Sequence, residues 1–280
     1  MQQVVIEGGR ATALLYRGAD GRDYRQPAGC IAIAGNGIGT ARLLLASGVE
    51  SPALGRHLMY HPVGYARGMF ADALDGPAGP VGCAIYSHEF YETDERRGFK
   101  RGIRLQVTRE NALLLQALRL DRPWGDALPR ALREEFHHSV PVLVMVEDLP
   151  EPENRVALTA RTDSDGLPGV KVEYRISQDS RRMLDYGLDR AEEMLRAAGA
   201  HRVTRVPLAP LTGWHLLGTA RMGADPASAV TDASGRCHGV AGLRIVDGSL
   251  FPTVGAANPG STIGALALKL ADDLAREIGR

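Results

Sequence analysis

The 280-residue sequence has few cysteines, no net charge and no long apolar run, and each of these absences excludes a class of protein. The three cysteines, Cys30, Cys83 and Cys237, stand far apart and form no CxxC pair, so neither a disulfide framework nor a zinc site is predicted. Lys plus Arg number 33, as do Asp plus Glu, which leaves no basic field to hold a nucleic acid. No window reaches the ~20 apolar residues of a membrane span. The start of the chain lacks the basic and apolar regions of a signal peptide, so we expect a soluble, cytoplasmic chain.

Several catalytic motifs are also absent. The GxSxG turn of α/β-hydrolases and the Walker phosphate loop do not occur. Residues 88–89 begin like the zinc motif HExxH, but Glu92 stands where its second histidine belongs. His57 and His61 are four residues apart, yet Pro62 disfavours the helix that would place them on one face. No metal site is predicted, and these histidines are interpreted as structural.

A glycine turn between an apolar run and a leucine-rich segment predicts an α/β unit near the start of the chain. Residues 30–34 contain no polar side chain, as in a strand that is buried on both faces. Glycines alternate over 35–39, and a helix is predicted over 40–47 with Thr40 as its N-cap. The spacing is GxGxG rather than GxGxxG, and no acidic residue follows at the expected distance. The turn is therefore not the dinucleotide-binding fingerprint.

The rest of the chain alternates between strand-rich and helical segments. Strands over 140–147, 154–160 and 170–176 follow one another without a helix, which predicts an antiparallel arrangement. An amphipathic helix is predicted over 180–198. Further predicted segments are a β-meander (4–7, 11–17, 23–26), a strand at 101–108, a short helix or strand at 111–120, a strand at 243–247 and a helix at 263–278.

Three blocks of sequence resemble the glucose–methanol–choline oxidoreductases. Residues 34–48 (AGNGIGTARLLLASG) are similar to a signature of that family, although Ala41 replaces its usual proline. Residues 55–62 (GRHLMYHP) resemble a second stretch, with Tyr60 in place of an acid. The third block, 215–259, follows the family's C-terminal pattern almost position for position. The amino-acid sequences of these blocks are most similar to those of the bacterial sugar-acid and polyol dehydrogenases.

The resemblance implies an α/β fold with α+β character, in which a partial FAD-binding, Rossmann-like domain is joined to an antiparallel-sheet substrate domain. The expected division is 1–60 for the partial FAD-binding domain, 61–207 for the substrate-binding domain, and 208–280 for the return to the FAD domain. The strand, GxGxxG turn and helix with which the family begins do not occur in this sequence.

The resemblance also implies the site. His215 matches the family's catalytic histidine, a base for the hydroxyl proton, and Asn258 matches the second active-site position. The terminal helix would direct its N–H groups and positive dipole end at the reduced flavin. The residues expected to contact FAD are Asp247, Gly248, Asn258, Pro259, Ser261 and Thr262.

The implied function is FAD-dependent oxidation of an alcohol, sugar or polyol at a CH–OH group. The alternative is a non-catalytic fragment or interaction subunit that needs a separate N-terminal chain carrying GxGxxG. A small-molecule substrate and such a partner chain are the expected partners, with no nucleic acid and no membrane span. Because a parallel strand at 30–34 would lack neighbours, we also expect poor solubility or obligate association of the isolated chain.

Overall fold

A computed structural model describes residues 1–74, 76–78, 82–109, 124–210 and 212–279. Its strands are β1 (Gln3–Glu7), β2 (Arg10–Arg17), β3 (Asp23–Pro27), β4 (Ile31–Ile33), β5 (Val63–Met69), β6 (Cys83–Ser87), β7 (Ile103–Thr108), β8 (Ser139–Val146), β9 (Arg155–Thr162), β10 (Pro168–Glu173), β11 (Arg202–Val206) and β12 (Leu243–Ile245). Its α-helices are α1 (Asn36–Ala46), α2 (Ala127–Glu135), α3 (Gln178–Ala197) and α4 (Gly260–Ile278). The predicted segment 111–120 lies outside the described residues.

The first core joins the two ends of the chain. The β1–β2–β3 meander lies beside a parallel pair in which β12 aligns with β4, so that Leu243 pairs with Ile31 and Ile245 with Ile33. Leu44 of α1 and Leu270 of α4 are fully buried in the same cluster. Because parallel strands in contact must be joined by a crossover, this pairing returns the C-terminal part of the chain to the glycine turn after β4.

The second core belongs to the middle of the chain. Strands β11, β5, β8, β7 and β6 form an antiparallel sheet in that order, and α3 packs on one face of it. Gly187 permits the closest approach, because a methyl group there would overlap the Val144 side chain. Met183, Leu188 and Leu195 supply the buried stripe of the helix.

The architecture confirms the predicted fold class, a partial α/β unit joined to an antiparallel sheet. The division of the chain into domains at 60 and 207 stays a prediction. None of the helices in the described ranges combines the length and apolar character that crossing a bilayer requires.

One local prediction was wrong. Helix α1 begins at Asn36, and Thr40 lies buried inside it instead of capping it, because the Asn36 side-chain oxygen accepts from the N–H groups of Ile38 and Gly39. The strands near 140–176 pair in antiparallel fashion, as predicted, but they lie in two separate sheets. Strand β8 pairs with β5 and β7, while β9 and β10 form a separate hairpin. The order of the strands along the chain therefore did not reveal which strands pair with β8.

Candidate active site

Two histidines that are distant in sequence meet across a short antiparallel contact. The N–H of Met59 donates to the Leu217 carbonyl at 3.0 Å, and the N–H of Leu217 donates back to the Met59 carbonyl at 2.9 Å. In an antiparallel pair, the residue two positions after Met59 faces the residue two positions before Leu217, on the same side of the pair. These are His61 and His215, whose Nδ1 atoms lie 2.8 Å apart with the rings nearly perpendicular.

The close approach of these two segments depends on Gly218. Its φ of +92° is unfavourable for residues with a side chain, and an added methyl group would overlap the carbonyl oxygen of His57. Gly37 has a similar role on the other side, because a Cβ there would stand 2.7 Å from the Leu216 carbonyl. Both glycines let backbone pack on backbone, which fixes the segment that carries His215.

A chain of polar contacts extends from His215 to the second core. The Asn258 amide nitrogen lies 3.4 Å from Nε2 of His215, and the Asn258 carbonyl oxygen accepts a 3.0 Å hydrogen bond from Arg104. Arg104 projects from β7, is 8% exposed, and places its guanidinium 3.8 Å from the centroid of the Tyr86 ring. The amide of Asn258, just before α4, is therefore held by a side chain of the five-stranded sheet.

Burial keeps both imidazoles in the neutral form. Desolvation lowers the pKa of His61 to about 4, an effect that the Gly255 carbonyl partly offsets and that nearby His215 and the Arg104 charge reinforce. Desolvation, followed by the Arg104 charge, also lowers the pKa of His215. His61 is 1% exposed, whereas His215 is only partly buried. A ligand could thus reach His215 but not His61.

Asp247 joins β12 to the glycine turn. Its Oδ2 accepts from the N–H of Asn36 at 3.0 Å and from the Thr40 hydroxyl at 2.6 Å. Its Oδ1 accepts from the N–H and the hydroxyl of Ser249, at 2.8 and 2.6 Å. The carboxylate is buried, and these four donors use its acceptor capacity. Gly248, which follows it, is buried against Leu217.

The first turn of α4 presents donors without a competing anion. Pro259 is buried, while Ser261 and Thr262 are exposed, and the first turn contains no acidic residue. The opening N–H groups of a helix have no partner within the helix, and the dipole there favours negative charge. The turn directly follows Asn258, so these donors lie next to the histidine pair.

A second buried acid lies near the segment that leads to His215. The Tyr174 hydroxyl donates to Asp148 at 2.9 Å, and its ring stacks on that of Tyr60 with centroids 4.0 Å apart. Desolvation raises the pKa of Asp148 to about 6, against the lowering effect of its hydrogen bonds. The two tyrosines, Arg181 and Thr212 line a cavity of about 490 Å³.

Comparisons with known proteins identify the family. Residues 150–267 match the family model described as GMC oxidoreductase. The chain is 34% identical over 293 aligned residues to 2-methyl-1,2-propanediol dehydrogenase of Mycolicibacterium austroafricanum, covering 99% of this chain and 53% of that protein. The chain belongs to the GMC oxidoreductase family. The matched region contains both His215 and Asn258.

Solved GMC oxidoreductases share the fold. Pyridoxine 4-oxidase from Mesorbium loti superposes with a TM-score of 0.67 at 18% identity, covering 97% of this chain and 56% of that one. A formate oxidase from Aspergillus oryzae, in a study of FAD modification, gives 0.67 at 17% identity, covering 99% and 59%. FAD is the cofactor of the GMC family. The chain spans about half the length of the curated relatives it matches.

The geometry brings together some, but not all, of the residues that the sequence singled out. His215, Asn258 and the α4 start meet, whereas the Asp247 carboxylate contacts the α1 turn. Sequence reasoning missed His61, which it interpreted as structural, and Arg104, which no motif marks. His61 did carry a signal, because it lies in the second family-like block at 55–62.

Proposed function

We propose that this chain carries the catalytic site of an FAD-dependent oxidoreductase that acts on CH–OH groups, with His215 as the base. One observation carries the proposal. The Nε2 atom of a partly buried, neutral imidazole lies beside the Asn258 amide, at the start of a helix whose first turn is free of acidic residues. A base and a hydrogen-bonding group for one hydroxyl oxygen thus stand next to a site for negative charge.

The residues present fit part of a flavin site. The opening N–H groups of α4 and the hydroxyls of Ser261 and Thr262 suit an anionic ring edge, so these residues and Pro259 would hold the isoalloxazine end. Asp247 and Gly248 would contribute by fixing the turn before α1 close to the cofactor, since the four internal bonds of Asp247 occupy its carboxylate.

When bound, the flavin supplies an acceptor for the hydride that leaves the carbinol carbon. The chain handles the proton and the position of the substrate. Nε2 of His215 removes the hydroxyl proton, and the Asn258 amide orients the same oxygen. Burial, followed by the Arg104 charge, lowers the pKa of His215 and so favours a free lone pair on Nε2 at neutral pH. Arg104 holds Asn258 through its carbonyl oxygen, so that its NH₂ group faces the base.

The proposed substrate is a small alcohol or polyol. The support is the similarity to a protein named as a 2-methyl-1,2-propanediol dehydrogenase, at 34% identity over nearly the whole of this chain. A small diol is therefore the first compound to test.

A second reading is that the chain acts only together with a GxGxxG-bearing chain, as an otherwise inactive subunit. One observation favours it. A cavity of about 250 Å³ lies along β4 and α1 and is lined by apolar side chains, including Ile33, Leu43 and Ala46. In a parallel sheet, such a face is normally covered by further strands and helices.

Addition of FAD to the purified chain separates the two readings. Under the first, flavin absorbance co-elutes with the 280-residue chain after gel filtration. Under the second, the chain elutes colourless and gains flavin only when mixed with a separately expressed GxGxxG domain of a GMC oxidoreductase. A chain that stays colourless in both cases would refute the proposed function.

A further inference from the structure

His61 lies behind His215, away from the face on which a ligand would approach. It is 1% exposed, so it cannot touch a substrate, yet its Nδ1 is 2.8 Å from Nδ1 of His215. A contact between two imidazole nitrogens is a hydrogen bond only if one carries a proton and the other a lone pair. The neighbours of the pair decide which nitrogen carries it.

One end of the polar chain fixes the proton on His61. Its Nε2 contacts the carbonyl oxygen of Gly255, which can only accept, so Nε2 must carry the hydrogen. The ring is neutral because burial holds its pKa at about 4. A neutral imidazole has a single N–H, and Nδ1 of His61 therefore presents a lone pair. His215 must then donate from its own Nδ1.

The contacts of Asn258, at the other end of the polar chain, independently indicate the same tautomer of His215. Arg104 can only donate, so the Asn258 atom that it contacts at 3.0 Å is the carbonyl oxygen. The remaining amide group, NH₂, then faces Nε2 of His215 at 3.4 Å. An N–H donor there requires a lone pair on Nε2. Both ends thus place the hydrogen of His215 on Nδ1 and the lone pair on Nε2.

We propose that His61 is a positioning residue that fixes His215 in the Nδ1–H tautomer, so that Nε2 faces the substrate as a proton acceptor. The inference rests on the proposed function for its catalytic consequence, but the tautomer itself is a property of this chain alone. A group that accepts from the far nitrogen of a base holds both the ring orientation and the site of protonation. When Nε2 takes up a proton, the resulting imidazolium keeps its Nδ1–H bond to His61.

The substitution of His61 offers a matched pair of variants. In His61→Asn, the side-chain oxygen can occupy the position of Nδ1 and accept from His215. In His61→Leu, a side chain of similar size and branching offers no acceptor. The two variants differ in the hydrogen bond rather than in the volume they fill.

The direct test is long-range ¹H–¹⁵N correlation NMR of the histidine-labelled chain at neutral pH, with signals assigned from the His215→Gln variant. We expect Nδ1–H with unprotonated Nε2 for His215 in the wild type and in His61→Asn. In His61→Leu, the ratio of the two tautomers should shift by about tenfold toward Nε2–H. An Nε2–H tautomer in the wild type, or no shift in His61→Leu, would overturn the proposal.

Activity of the FAD-loaded chain adds a second readout. His61→Leu should lower kcat by about a hundredfold or more with little change in KM, and His61→Asn should stay within about tenfold of the wild type. Equal loss in both variants, without any change in the tautomer, would reduce His61 to a packing residue. If the tautomers are as expected but the wild type oxidises no alcohol, the inference stands and the proposed function fails.

Discussion

Two buried groups make opposing contributions to stability between about pH 4 and pH 6.5. The pKa of His61 is lowered from 6.5 to about 4, so in this window the unfolded chain binds a proton that the folded chain does not. Its stabilising contribution is present above pH 6.5 and is lost as the pH falls toward 4. The pKa of Asp148 is raised from 3.8 to about 6, so there the folded chain holds the extra proton. Its contribution is present below pH 3.8 and is lost as the pH rises through 6.

The sizes of the two effects are similar. A pKa shift of one unit corresponds to about 1.4 kcal/mol, so each group changes the free energy of unfolding by about 3 kcal/mol across the window. Both groups are 1% exposed, which justifies the conversion without a large correction for solvent screening. The two groups change the free energy of unfolding with pH in opposite directions, so their contributions nearly cancel in the wild-type chain.

Removing one group at a time should reveal the other. In His61→Asn, the free energy of unfolding should fall as the pH rises from 4 to 6.5, and in Asp148→Asn it should rise by about the same amount. Urea unfolding at several pH values measures both curves. Other carboxylates titrate alike in the two variants, so the difference between the curves isolates this pair. Parallel curves would refute the reasoning.

Three further substitutions test the site. Asp247→Ala leaves four donors unpaired and should lower the free energy of unfolding by at least about 3 kcal/mol. The control, Asp225→Ala at an exposed position, should lower it by about 0.5 kcal/mol. Urea titration measures both values. Gly218→Ala should cost about 3 kcal/mol through backbone overlap and positive φ, and should lower Tm. Arg104→Gln removes a charge that lowers the pKa of His215, so the acid limb of the pH–rate profile should move to higher pH.

Local sequence patterns predicted the elements that they determine by themselves. The apolar run before a glycine turn gave β4 and α1, and helical periodicity gave α3 within two residues at each end. Strands β5 and β11 were not predicted, because β5 carries two glycines and an arginine, and two of the five residues of β11 are arginines. Only the neighbouring strands and α3 make those segments a sheet.

Some residues of the candidate active site could likewise be predicted from local sequence, and others could not. His215 and Asn258 were found through family-like motifs, and the structure places them 3.4 Å apart. The contact of His61 with His215 depends on the Met59–Leu217 pairing across 158 residues, and no local pattern encodes it. Arg104 reaches Asn258 from another core altogether, on a strand where an arginine usually indicates an exposed face.

Anaerobic reduction of the FAD-loaded chain by 2-methyl-1,2-propanediol tests the central claim most directly. The flavin absorbance should bleach on addition of the diol, and His215→Gln should slow that bleaching by about a hundredfold or more. Replacement of the exposed His201 by Gln serves as the control and should leave the rate unchanged. Bleaching at equal rates in the wild type and in His215→Gln would contradict the assignment of His215 as the base.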